Sequence, residues 1–200
     1  MKEEKMKILV LADVEAPSLW DYYVPGKLDD VDLILSCGDL KPQYLSFLVT
    51  LAKCPLFYVH GNHDGIYERK PPEGCICIED KIVEYKGIRI MGLGGSYDYN
   101  GGPHQYDERD MRRRVRKMWW QLRRKKGFDI LLTHACAYGV DDEDTYAHRG
   151  FEIFTELMDK YKPAYHLHGH VHLNYGRKER ITTYEDTLVI NGYEKYLLEI

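Results

Sequence analysis

Five short polar clusters carry the residue types of a metal site. They are Asp13-Val14-Glu15, Gly38-Asp39, Gly61-Asn62-His63-Asp64, Thr133-His134 and Gly169-His170-Val171-His172. Carboxylates, a carboxamide oxygen and imidazoles suit Mn, Fe, Zn, Co or Ni better than Ca or Mg, because several donors are nitrogen. Asp13, Glu15, Asp39, Asn62, His134, His170 and His172 are too many candidate ligands for one tetrahedral ion and a good set for two. A carboxylate such as Asp39 can bridge ions about 3.5–4 Å apart. Such a pair binds phosphate oxygens, polarises phosphorus and lowers the pKa of a bridging water.

Each cluster follows an apolar run, and these runs are the elements that must bring the clusters together. Residues 7–12 (KILVLA), 31–37 (VDLILSC), 56–60, 129–133 and 164–168 read as buried strands. If they share a sheet, their carboxyl ends converge on one edge, where open α/β sheets bind ligands. Residues 41–53 have helical apolar spacing, with Pro42 suited to a first turn. Residues 75–91 read as one or two hairpins with a turn at Tyr85-Lys86-Gly87, and 92–103 as a Gly/Tyr-rich loop. In 107–126, Met111, Val115, Met118, Trp119 and Leu122 form one apolar stripe of a helix. Residues 150–161 read as a further helix and 174–200 as several antiparallel strands. Alternating strands and helices followed by a strand-rich tail indicate an α/β sandwich, in a single domain over 1–200.

In this order, Gly38-Asp39, Gly61-Asn62-His63-Asp64, Thr133-His134 and Gly169-His170-Val171-His172 resemble the motifs of the calcineurin-like metallophosphoesterase superfamily. The resemblance spans Asp13 to His172. It implies a four-layer αββα sandwich with two mixed β-sheets. It also implies that Asp13, Asp39 and His172 hold a first ion, while Asp39 as bridge, Asn62, His134 and His170 hold a second. His63 would face the substrate and assist the leaving group, and Asp64 would orient His63 from behind. The implied activity is hydrolysis of a phosphate ester by attack of metal-bound hydroxide, with a phosphodiester or nucleotide-type substrate favoured. A phosphoprotein or a small phosphomonoester is the alternative.

One position departs from the family pattern. The first motif is usually Asp-x-His, but here it is Asp13-Val14-Glu15. A carboxylate in place of the histidine lowers the charge of the cluster by one and favours a harder ion, so Mn or Fe is expected ahead of Zn, Ni or Co. If Glu15 instead points away, the first site is weak.

Several other residues have a bland reading beside the functional one. His60, His166 and His168 are expected to be core or hydrogen-bonded histidines, and Cys75 and Cys77 hairpin residues. The long loop 137–148 follows His134, which makes His148 and Arg149 candidate substrate contacts, although a solvated loop is the simpler reading. The segment 109–126 carries a net charge of +9 against −13 for the remainder. Arg112, Arg113 and Arg116 therefore either form a solvated face or attract a phosphate-rich nucleotide or oligonucleotide, with Tyr97, Tyr99 and Tyr106 offering rings for stacking.

The chain is long enough for one full core, and its composition is that of a globular protein. No apolar run reaches the roughly 20 residues of a membrane helix, so no membrane partner is expected. Five cysteines with no paired framework indicate a reducing, cytoplasmic setting. Nothing in the pattern sets the oligomeric state. The rivals from other classes are a non-catalytic scaffold on the same fold and a nucleic-acid-binding protein with a vestigial site. Intact motif histidines argue for an enzyme.

Overall fold

The computed structural model describes residues 5–142, 145–174 and 179–200. In chain order the elements are β1 (Lys7–Leu11), β2 (Leu33–Ser36), α1 (Pro42–Leu51), β3 (Leu56–Tyr58), β4 (Ile76–Cys77), β5 (Lys81–Tyr85) and β6 (Ile88–Leu93). There follow β7 (Ser96–Tyr97), β8 (Gln105–Tyr106), α2 (Glu108–Lys117), α3 (Trp119–Lys125), β9 (Ile130–Thr133) and α4 (Glu152–Tyr161). The chain ends with β10 (Tyr165–His168), β11 (Ile181–Tyr184), β12 (Thr187–Asn191) and β13 (Tyr196–Glu199). Pro42 opens α1, where its missing N–H costs nothing.

Two mixed sheets form, one in the order β13-β1-β2-β3-β4 and the other β11-β12-β10-β9-β6-β5. The motif-bearing strands run parallel to their neighbours, and antiparallel strands close three of the four edges: β13, β11 and β5. Strand alternation builds the layers. Ile8 and Val10 face Ile130, Leu132 and Leu167 between the sheets. Leu9 and Leu11 point the other way and pack with Leu45 and Leu48 of α1. On the far side, Met91, Leu131 and Val189 meet Met111, Val115, Leu122, Phe154 and Leu157 of α2, α3 and α4. The architecture is an αββα sandwich.

Three local expectations are corrected. The five strands do not share one sheet: β1, β2 and β3 belong to one, and β9 and β10 to the other. Cys75 and Cys77 are not in a hairpin, because β4 pairs parallel with β3. The turn at 85–87 is as expected, joining β5 to β6. The helix 107–126 is broken at Met118, whose ψ of 1° leaves the helical region, and the break turns Trp119 half out of the core. His166 and His168 are both fully buried on one face of β10, as alternation requires.

Basic α2 also carries a buried cation. Arg114 donates from Nε to Asp80 (2.9 Å), from Nη1 to the Gly94 carbonyl (2.8 Å) and from Nη2 to Glu79. Its guanidinium also lies 4.4 Å from the Tyr106 ring centroid. Glu79 accepts in turn from the backbone N–H of Gly94 and His60, each at 3.1 Å. The ion pair thus ties α2 to the backbone immediately before Gly61. Burial works against the Glu79 charge, but hydrogen bonding to His60 and the Arg114 charge outweigh it and hold its pKa at about 2.

Removing one partner of a buried pair strands the other. Arg114→Met should cost about 3–5 kcal/mol in urea unfolding, while Arg113→Ala on the exposed face should stay within about 0.5 kcal/mol. The depressed Glu79 pKa contributes stability that is complete above its ordinary value of 4.5 and lost as pH falls through about 2. The stability gap between wild type and Glu79→Gln should therefore close over that interval, measured by denaturation across pH.

Candidate metal centre

The polar clusters meet where the carboxyl ends of the two sheets adjoin. Backbone bonds lace them together: Asp13 N–H donates to the Gly38 carbonyl (3.1 Å) and Gly169 N–H to the His134 carbonyl (2.9 Å). His170 N–H points at both oxygens of Asp13, each at 3.0 Å, across 157 positions of sequence. The approach is close. A Cβ on Gly38, which also has a φ of +100°, would lie 2.2 Å from Gly61 N, so only glycine fits. Asp13, Asp39 and His170 have φ of 65°, 58° and 65°, a region that costs non-glycine residues energy and that clusters at functional sites.

Asp39 lies at the junction. Its Oδ1 accepts from His63 N–H at 2.7 Å, and its Oδ2 stands 3.3 Å from His134 Nε2. His134 Nε2 is also 3.0 Å from Asn62 Oδ1, while His134 Nδ1–H donates to the Cys37 carbonyl at 2.9 Å. That bond fixes the ring so that Nε2 faces the oxygens. His170 is oriented likewise: Nε2–H donates to the Ala147 carbonyl at 2.8 Å, which leaves Nδ1 as its donor atom for a cation. Ligand atoms of Asp39, His134 and His170 lie within 4.8 Å of one another. This donor set, two nitrogens with carboxylate and amide oxygens alongside, fits a first-row divalent ion.

The electrostatics favour positive charge here. Burial opposes ionisation of His134, yet Asp39, Asp13 and Asp64 outweigh it and lift its pKa to about 9. Burial likewise opposes the Asp39 carboxylate, but His134 and the His63 N–H bring it down to about 2. Asp64 is pushed up to about 7 by burial and by the Asp39 charge. Burial, with the neighbouring His134, drives His170 down to about 3.

A cavity of about 440 Å³ opens over these groups, lined by Asp13, Asp39, Asn62, His63, Tyr99, Ala147, His148, His170 and His172. Six of the seven proposed ligands are thus brought together, with His134 beneath the cavity floor. Glu15 is not. Its oxygens face Lys41, one accepting from the backbone N–H at 3.1 Å and the other 3.5 Å from Nζ, so it ties down the start of α1. Asp64 lies close, but its hydrogen bonds differ from the expected one to the His63 ring. One of its oxygens accepts from Gly61 N–H (2.8 Å) and Asp39 N–H (2.9 Å), holding two motif turns together.

Of the expected substrate contacts beside His63, Tyr99 lines the cavity, and so does His148. Its ring is 5.1 Å from that of His170, and its Nδ1 is 2.9 Å from Thr145 Oγ1. Arg149 lies over the Tyr97 and Tyr138 rings beside Glu152. Arg112 grips Glu156 with both terminal nitrogens (2.8 and 2.7 Å) and Glu108 with Nε, and Arg113 pairs with Asp110. The acids of α2 and α4 therefore neutralise Arg112 and Arg113, two of the three arginines expected to draw in substrate.

Three contributions from the loop after His134 lay outside the expectations. The Ala147 carbonyl orients His170, but a backbone group leaves no residue-type signal. Asp142 clasps its own loop by accepting from Gly139 N–H (2.9 Å) and Gly150 N–H (3.3 Å). Asp141 reaches to 3.0 Å from buried His168 Nε2. Acids in a glycine-flanked loop could have signalled that clasp.

Residues 6–174 match the calcineurin-like phosphoesterase family, and the chain belongs to it. Among curated relatives, it is 27% identical over 124 residues to UPF0046 protein C25E10.12 of Caenorhabditis elegans, covering 59% of this chain and 41% of that protein. It is 25% identical over 138 residues to UPF0046 protein T07D4.2 of the same organism, covering 64% of this chain and 32% of that protein. The matched region therefore spans less than half of either relative. Among solved structures, TT1561 of Thermus thermophilus aligns with a TM-score of 0.61 at 14% identity, over 98% of this chain and 99% of that one. At that identity the likeness shows the fold.

The position of Glu15 gives a direct test. Glu15→Gln should leave the divalent-metal content of the purified protein unchanged by elemental analysis, at a stability cost under about 1 kcal/mol. Loss of an ion would show that the carboxylate swings to the cavity.

Proposed function

We propose that this chain hydrolyses a phosphate ester at a dinuclear centre, with a phosphodiester or nucleotide-type substrate favoured. The observation that carries the reading is the convergence of Asp39, His134 and His170 donor atoms beneath a cavity that Asp13, Asn62, His63 and His172 complete. Asp13, Asp39 and His172 would hold one ion, and Asp39, Asn62, His134 and His170 the other. Two divalent ions would supply Lewis-acid polarisation of phosphorus and an activated water. With Glu15 turned to Lys41, the expected preference for Mn or Fe over Zn, Ni or Co loses its basis.

The chain's own residues do the rest. His63 lines the cavity with its side chain exposed, placed to give a proton to the leaving oxygen. Asp39 fixes the His63 backbone, and Asp64 fixes the turns on which both residues stand. No Lys or Arg is among the described residues that line the cavity. A dianionic monoester would rely on the ions alone for its second charge, which supports the singly charged diester. Among the described residues no disulfide joins any of the five cysteines, which suits a reducing compartment, so a cytoplasmic setting is part of this reading. Among the described residues no helix is long and apolar enough to cross a membrane.

Protein reconstituted separately with Mn, Fe, Zn, Ni or Mg should turn over bis-p-nitrophenyl phosphate faster than p-nitrophenyl phosphate in at least one metal form. His63→Ala should lower kcat by about 10²–10⁴-fold while keeping its metal. No turnover with any metal would sink the enzyme reading.

A further inference from the structure

Tyr99 lies on the cavity wall, in the loop between β7 and β8. The loop is pinned at several points. Gln105 Oε1 accepts from the backbone N–H of Tyr99 and Asn100, each at 3.2 Å, and Asp98 Oδ1 accepts from Gly101 N–H at 2.8 Å. The neighbouring tyrosines are committed elsewhere. Tyr97 stacks on Phe151 with ring centroids 5.3 Å apart, and Tyr106 lies under Arg114. Tyr99 alone of the three lines the cavity.

Its hydroxyl is also oriented. Asn62 Nδ2–H donates to the Tyr99 oxygen at 3.3 Å, while Asn62 Oδ1 faces His134 Nε2 at 3.0 Å. A phenol has one proton to give and lone pairs to accept with. Here a lone pair is taken by the amide, and among the described residues no acceptor takes the proton. Accepting one bond polarises the O–H and makes it a better donor. Besides the imidazoles, the cavity wall offers no cationic side chain to an anionic oxygen, since no Lys or Arg is among the described lining residues.

We infer that Tyr99 is a catalytic residue whose hydroxyl donates a hydrogen bond to a non-bridging oxygen of the phosphoryl group bound over Asn62. The inference rests on the phosphoesterase reading above and adds a protein donor to it. The contact is non-covalent: the proton stays on Tyr99, and the bond strengthens as negative charge gathers on the phosphoryl oxygens. A neutral donor at this position suits a phosphodiester, whose single charge needs no cationic side chain opposite the ions.

The test is Tyr99→Phe in the Mn-loaded full chain, with three readouts: metal content, calorimetric affinity for inorganic orthophosphate, and kcat with KM on bis-p-nitrophenyl phosphate. The variant is expected to keep wild-type metal content, bind orthophosphate about 10-fold more weakly and lose about 10–100-fold in kcat/KM. Affinity and turnover both within about 2-fold of wild type would overturn the inference. So would loss of an ion, because Tyr99 would then serve to hold the Asn62 amide rather than to touch substrate. Wild type that binds orthophosphate without turning over any ester would fail the enzyme reading. The affinity ratio would still decide the Tyr99 contact.

Discussion

Asp13, Asp39 and Asp64 are gathered where the two sheets adjoin, and their mutual repulsion is the constraint on which the rest of the structure depends. Carboxylates held this close and shielded from water cannot all ionise unless positive charge or N–H donors surround them. The protein supplies the donors. Backbone N–H groups of His63 and His170 point at Asp39 and Asp13, and those of Gly61 and Asp39 point at Asp64. What it does not supply at the cavity is a lysine or arginine among the described lining residues. The oxygens instead face two imidazoles whose outer nitrogens are each bound to a backbone carbonyl. That is a site arranged for a cation from outside the chain.

Holding such a site requires rigidity, and the fold provides it from both sides. Three motif turns come from one sheet and two from the other, so opening the cluster means separating the apolar layer between Ile8, Val10, Ile130 and Leu132. Left-handed backbone at Asp13, Asp39 and His170 is strain that this packing sustains. Buried Arg114 extends the same framework to the helical layer by fixing Glu79 and, through it, the backbone at His60. A basic helix that looks like a surface for anions is in part a structural clamp.

The strands and the polar residues at their ends were legible in the sequence because each depends on local pattern, whereas the four-layer order followed only from the resemblance to the calcineurin-like superfamily, and the split of the five strands over two sheets was not legible. Apolar runs mark buried strands, and polar residues just after them mark the sheet edge. Glu15 was not legible. Its position two residues after Asp13 fits a ligand and an anchor for α1 equally well, and only the placement of Lys41 distinguishes them. Arg112 misled for a related reason. Charge counts along one segment cannot see Glu152 and Glu156 arriving from α4, some 40 positions away. The Ala147 carbonyl, the Asp142 clasp and the Asn62–Tyr99 bond are all tertiary contacts made by loops, which carry no periodic signal.

In the proposed dinuclear centre Asp39 would be the ligand shared by both ions, so metal stoichiometry tests the proposal most directly. Wild type and Asp39→Asn would be stripped, reconstituted with Mn and analysed for bound metal per chain in equilibrium with a fixed excess of free Mn. Two ions are expected on wild type, the one at Asp13 and His172 the more weakly held, and neither on Asp39→Asn, with the fold retained by circular dichroism. Wild type without stoichiometric metal, or an Asp39→Asn protein that keeps both ions, would contradict it.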